Sequence, residues 1–171
     1  MSEEAMFNLK PISRAGVAAA LQKAERYRLL NDSAAAESIC LDVLEVAPDD
    51  QHALVTLLLA ITDQFGEGLA DGVARARAVL PRLQDEYKRH YYSGIIAERR
   101  ALAELRRGAV GAEMSAYQWL SEAMSHFERA EAMRPPGNDE AILRWNTCVR
   151  IMQRNERIHA EPEREYEPAL E

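Results

Sequence analysis

Five groupings in this 171-residue chain have residue types and spacings that chemistry could use. Glu156-x-x-His159 has the i, i+3 spacing with which a helix presents a carboxylate and an imidazole to a di-iron centre. Such a centre needs a second copy and two further glutamates from facing helices, and the chain holds no second copy. Glu122 and His126 stand at i, i+4, the separation at which side chains on one helix face pair, so an ordinary surface contact is expected. His52 and His90 have no Cys or His at zinc-ligand spacing. Gly66-x-Gly68-x-x-x-Gly72 lacks the preceding strand and the following Lys–Ser/Thr pair of a phosphate loop. Ser93-Gly94 lies inside a helical pattern, away from any Gly-x-Ser-x-Gly turn. The expectation is a non-enzyme with no catalytic residue, no cofactor and no metal.

The densest aromatic cluster is His90-Tyr91-Tyr92, with Tyr87 one turn before Tyr91. Arg82, Lys88, Arg89, Arg99 and Arg100 surround it, and residues 82–107 hold 7 basic groups against 4 acidic ones. Stacking rings beside cations are what a nucleic-acid surface needs. Against this stands a net charge of −7 and a pI near 5.2, which repel phosphates in nucleic acid and in anionic lipid alike. Packing of the tyrosines at a helix seam is therefore expected. A nucleic-acid-linked regulator using the 82–107 helix is the alternative.

Cys40 and Cys148 are 108 residues apart and fall on apolar helix faces, where a free thiol packs as a small hydrophobe. Met1 to Lys10 contains Glu3 and Glu4 and no apolar core, unlike a signal peptide. The most apolar stretch, Ala53 to Ile61, is too short to span a membrane. A cytoplasmic protein is expected.

The elements that position these residues read as helices throughout. Alanine occurs 28 times against 19 for Val, Ile and Thr together, and alanine loses no side-chain entropy in a helix. Apolar spacing predicts helices over about 12–30, 33–46, 51–64, 71–80, 82–107, 112–133 and 139–157. Ser13, Ser33, Asp49 or Asp50, and Asn138 are the expected N-caps, and Gly108 the C-cap of the fifth helix. Gly66, Gly68 and Gly72 mark a flexible connection, and Pro81 ends or kinks the fourth helix. The third helix is apolar nearly all round, so it must be covered on several sides. The fold class is all-α, with about seven helices.

Tyr27, Ala36, Cys40, Val43 and Pro48 follow one another at separations of 9, 4, 3 and 5 residues. Ala123, Phe127, Ala130 and Pro135 repeat the last three separations. This pattern resembles the tetratricopeptide repeat, a helix–turn–helix of about 34 residues. Small residues let its paired helices approach closely, a bulky one fills the groove, and proline stops the second helix. Pro48 and Pro135 are 87 residues apart, whereas two regular repeats give about 68. The glycine-rich connection and the long fifth helix take up the surplus. Ala36, Ala74, Ala123 and Ala130 are the expected close-approach points, with Ala78 joining Ala74 in the middle unit.

The resemblance implies antiparallel hairpins stacked as a short right-handed superhelix in a single domain, 12–157. Its units are about 17–50, 51–81 and 83–135, with a capping helix at 139–157, an N-terminal extension at 1–11 and a charged, flexible tail at 158–171. The family implies protein or peptide binding on a concave surface lined by the first helix of each hairpin. In that register Ala18, Leu21, Glu25 and Arg28 line the groove, followed by His52, Val55, Leu59 and Thr62. Leu21 and Glu25 stand where some members place the Lys and Asn that clamp a C-terminal carboxylate, so that clamp is absent. Mixed apolar and charged groups suit an amphipathic helix or an extended segment. The implied partner is another protein or peptide, and the implied role is that of an adaptor or chaperone-like module. Short acidic proteins with about three such repeats include secretion chaperones.

Overall fold

The computed structural model describes residues 7–160. Residues 1–6 and 161–171, which hold Glu3, Glu4, Pro162, Pro168 and most of the expected tail, lie outside them. Among the described residues there are seven α-helices and no strand: α1 (Val17–Leu29), α2 (Ser33–Val46), α3 (Gln51–Asp63), α4 (Leu69–Val79), α5 (Glu86–Arg107), α6 (Ala112–Ala132) and α7 (Glu140–Arg154). The all-α expectation is met. The chain divides into two compact units, Met1–Arg89 and His90–Glu171, with α5 starting in the first and running through the second.

In the first unit, α3 packs with α1, α2 and α4. That explains its composition: Ala53, Leu54, Leu57, Leu58, Ala60 and Ile61 are all buried, with Thr56 and Thr62 beside them. The Asp50 carboxylate caps it by accepting from Ala53 N at 2.9 Å. α2 is capped by Asp32, which accepts from Ala35 N at 3.2 Å, and not by the expected Ser33. Ser33 is the first helical residue, buried, and its hydroxyl donates to Asp63 Oδ2 at 3.3 Å. The first predicted helix is split. Ser13 caps a 3-10 turn over Arg14–Gly16, and α1 proper follows it.

Pro81 ends α4. With no N–H to continue the ladder, it sits in a 3-10 turn over Leu80–Arg82, and Leu83 is extended and buried. α5 then starts four residues later than the spacing predicted, because Asp85 Oδ1 accepts from Tyr87 N at 2.9 Å and sets the start of the helix. The register of α4 differs too. Leu69, Gly72, Val73, Ala76 and Val79 are buried at helical spacing, whereas Ala74 and Ala78 are exposed and are not close-approach points. Gly72 is not part of a flexible connection: a Cβ there would meet the buried Phe65 ring at 3.0 Å.

In the second unit, Ala116, Leu120, Ala123, Phe127 and Ala130 of α6 are buried as expected. α6 packs with α7, whose buried positions are Ala141 and Cys148. Phe127 also lies against α5 at Gly94, where a Cβ would come within 2.4 Å of the ring. Only glycine allows that approach. Gly108 closes α5 at φ +63°, a left-handed conformation that glycine adopts without cost. α7 ends at Arg154, three residues short of the expected 157, with Asn155 extended.

Candidate functional site

Two places in the molecule gather side chains whose chemistry exceeds that of ordinary packing. The first is the face where α1 meets α3. Helical spacing puts Ala18, Glu25 and Arg28 on one stripe of α1, and His52, Val55 and Leu59 on one stripe of α3. Two polar contacts join the helices. His52 Nε2 lies 2.5 Å from Glu25 Oε1, with both side chains half exposed. Arg28 Nε donates to Asp63 Oδ2 at 2.8 Å, and the same carboxylate oxygen takes the Ser33 hydroxyl. Ala18, Glu25 and His52 are exposed, and Arg28, Val55 and Leu59 are half-buried.

Leu21 and Thr62 do not join this face. Leu21 is 4% exposed and Thr62 3%. Leu21 is drawn inward with Ala24 where α1 packs on α2 and α3, and the Thr62 hydroxyl donates to Leu59 O at 2.8 Å within its own helix. Both belong to the core. The expected groove of eight side chains is therefore an accessible set of six: Ala18, Glu25, Arg28, His52, Val55 and Leu59. Sequence reasoning missed Asp63, which locks Arg28. Its signal was a lone acid closing an otherwise apolar helix. Beside it, Gln64 donates to Glu37 Oε2 at 2.7 Å, and Glu37 also pairs with Arg75 of α4. Arg82 donates to Pro48 O at 2.8 Å, and Gln51 Oε1 accepts from Gln84 N at 2.9 Å. These ties brace both ends of α3.

The second place is buried. Glu98 of α5 is 2% exposed and faces Arg144 of α7, whose Nη1 donates to Glu98 Oε1 at 3.3 Å. Glu98 Oε2 has no hydrogen-bond partner. Burial pushes the Glu98 carboxyl above the usual carboxylate range, and Arg144 and Arg99 only partly offset it. Arg144 also bonds to the Tyr91 phenol, whose pKa burial raises. Burial alone would lower the Arg144 guanidinium, but Glu98 and Tyr91 outweigh it and hold the group above its ordinary value. Cys148 lies close by, and burial, reinforced by Glu98, pushes its thiol up to about 12. Cys40 in the first unit is likewise at about 12 through burial. Neither thiol ionises at neutral pH, so both are packing groups and poor nucleophiles. The signal for Glu98 was its place in the run Ile95-Ile96-Ala97-Glu98, where its apolar neighbours are buried.

The basic helix is engaged within its own surroundings. Arg100 stacks 3.8 Å above the Trp119 ring and donates to Glu104 Oε1 at 3.1 Å, and the Ser115 hydroxyl bonds to Glu104. Arg89 donates to Leu83 O at 2.6 Å. Tyr91 packs against Phe127 with centroids 5.9 Å apart and edge-on to Tyr92 at 5.1 Å. Tyr87 is buried. Seam packing of the tyrosines is what the structure has. His126 Nε2 lies 3.8 Å from Glu122 Oε1, as helical spacing predicted, and its ring is tilted against that of His90 at 6.2 Å. Glu156 and His159 are both exposed beyond α7. Among the described residues no group of three or more His, Cys, Asp or Glu could hold a metal ion, and no helix is long and apolar enough to cross a membrane. No known protein family matches the chain, and no curated protein or solved structure is significantly similar to it.

Proposed function

We propose that this chain is a non-catalytic protein–protein interaction module, adaptor or chaperone-like in character, built from tetratricopeptide-like hairpins. It takes a peptide or helical segment of another protein on the face where α1 and α3 meet. The observation that carries the reading is the make-up of that face. Val55 and Leu59 are half-buried apolar positions, flanked by the exposed Glu25–His52 pair and the Arg28–Asp63 pair. An apolar centre rimmed by charges of both signs is the anatomy of a peptide-docking surface. The hairpin reading is supported by the separations from Tyr27 to Pro48 and from Ala123 to Pro135, and by full burial of Ala36, Cys40 and Val43 and of Ala123, Phe127 and Ala130. Two buried free thiols suit a reducing compartment, which supports a cytoplasmic place of action.

The test is capture from native extract, with bound proteins identified by mass spectrometry. The intact protein retains a specific partner, and Val55→Glu with Leu59→Glu loses it while far-UV circular dichroism stays unchanged. Retention of the same partner by the folded double variant overturns the reading.

A further inference from the structure

α1 has a second face. Ala19, Gln22, Lys23, Arg26, Tyr27 and Leu30 recur at i, i+3, i+4, i+7, i+8 and i+11, one stripe of the helix and its C-cap. They line an open groove of about 530 Å³. This stripe points away from the one that buries Leu21 and Ala24, and no residue of the α1–α3 face belongs to it. Its chemistry is distinctive for so acidic a chain. Lys23 and Arg26 are exposed, and no carboxylate among the described residues pairs with either. Lys23 instead lies 5.8 Å over the Tyr27 ring. Leu30 is 68% exposed and its neighbour Leu29 84%. Among the described residues, the groove thus combines two cations that no carboxylate pairs with, an aromatic edge and an exposed leucine, and none of the described residues lining it is acidic.

We propose that this outward face of α1 is a docking surface for an acidic amphipathic helix of a partner protein. Carboxylates on that helix would meet Lys23 and Arg26, and an apolar side chain would cover Tyr27 and Leu30. Charge complementarity selects this occupant. Surplus positive charge at the rim attracts an acidic segment and steers its approach, while the apolar floor holds it once docked. A basic segment is repelled by the same two cations. The surface is independent of the α1–α3 face, so the chain presents two chemically different docking sites on one helix.

The test is fluorescence anisotropy of the intact protein with a labelled helical peptide of Glu, Ala and Leu, its leucines at i, i+3, i+4 and i+7. A counterpart with Lys in place of Glu serves as control. The acidic peptide binds and the basic one does not. Binding weakens by about tenfold or more in the Lys23→Glu, Arg26→Glu variant, and weakens as salt rises from about 0.05 M to about 0.5 M. Both substituted residues are exposed, so the variant keeps its helicity. Absence of binding, or equal binding by the charge-reversed protein, overturns the proposal. So does a peptide released by Val55→Glu but held by the charge-reversed variant, which would assign it to the α1–α3 face. Anionic vesicles that bind through Lys23 and Arg26 when the peptide does not would assign the face to lipid and overturn it. A free-protein dimer that the charge reversal dissolves would assign it to a second copy, with the same consequence.

Discussion

The two units use charge differently. In the first, ionic contacts lie at or near the surface and tie neighbouring helices together: Arg28 to Asp63, Glu25 to His52, Arg75 to Glu37. In the second, a carboxylate sits inside the fold, held by a guanidinium that is 38% exposed and left with one oxygen unsatisfied. Exposed pairs add little stability and are cheap to rearrange. A buried carboxylate costs desolvation and fixes the geometry of whatever surrounds it. Exposed pairs occur in the second unit too, where Arg134 meets Glu131 and Asp139, so the buried Glu98 is what sets the units apart. The second resembles a braced support, in which Tyr91, Arg144 and Glu98 hold α5 against α7.

The same contrast runs through the helix hairpins. Cys40 and Phe127 occupy equivalent places in the repeated spacing, and both are fully buried. On α2 that place is filled by a small, fully buried thiol. Between α5 and α6 a phenyl ring fills the seam, and Gly94 makes room for it. The largest effect should come from emptying that seam. Phe127→Ala is expected to cost about 3–5 kcal/mol, whereas Cys40→Ala costs about 1 kcal/mol, as measured by urea unfolding. Equal losses would break the comparison.

Next in size is removal of one partner of each ion pair. Arg144→Met strands Glu98 without its cation and should cost about 2–3 kcal/mol, less than for a fully buried pair because the guanidinium is partly solvated. Arg28→Met in the first unit should cost about 1 kcal/mol or less. Denaturant midpoints of the two variants decide this.

The smallest effect is pH dependence. Glu98 has a raised pKa in the folded state, so between the ordinary value and the raised one the native protein binds more protons than the unfolded chain. Stability contributed by this group is therefore full at low pH and declines as pH rises from the ordinary range near 4.5 towards the folded value. Glu98→Gln removes that decline. The difference in Tm between the parent and Glu98→Gln should grow with pH across this window. A constant difference would show that the carboxyl titrates as an exposed one does.

Much of the fold was legible because the signal lay in periodic burial. The α6 stripe from Ala116 to Ala130, the all-round apolar α3 and the left-handed Gly108 follow directly from spacing and residue type. What escaped were outcomes decided by single side chains. Asp85 sets the start of α5, an aspartate that competes with Pro81 as a boundary and leaves no periodic trace. Ala74 looked like a packing residue because alanine is neutral to burial. Leu69, Val73 and Val79 fix the register of α4 and turn Ala74 outward. On the candidate face, the register implied by the repeat resemblance put eight residues on two stripes. It could not separate Leu21 and Thr62 from the rest, since which edge of a stripe becomes core depends on how α1 seats on α2 and α3. The partners of Arg28 and Arg144 are separated from them by 35 and 46 residues, beyond the reach of local pattern.

The central claim is that the α1–α3 face docks a protein segment. It is tested most directly by placing a photo-crosslinking residue at Leu59, and separately at Leu41, an exposed leucine of α2 outside that face. Irradiation in native extract should give one discrete adduct from position 59 and none from position 41. Adducts of equal yield at both positions, or at 41 alone, would contradict the account.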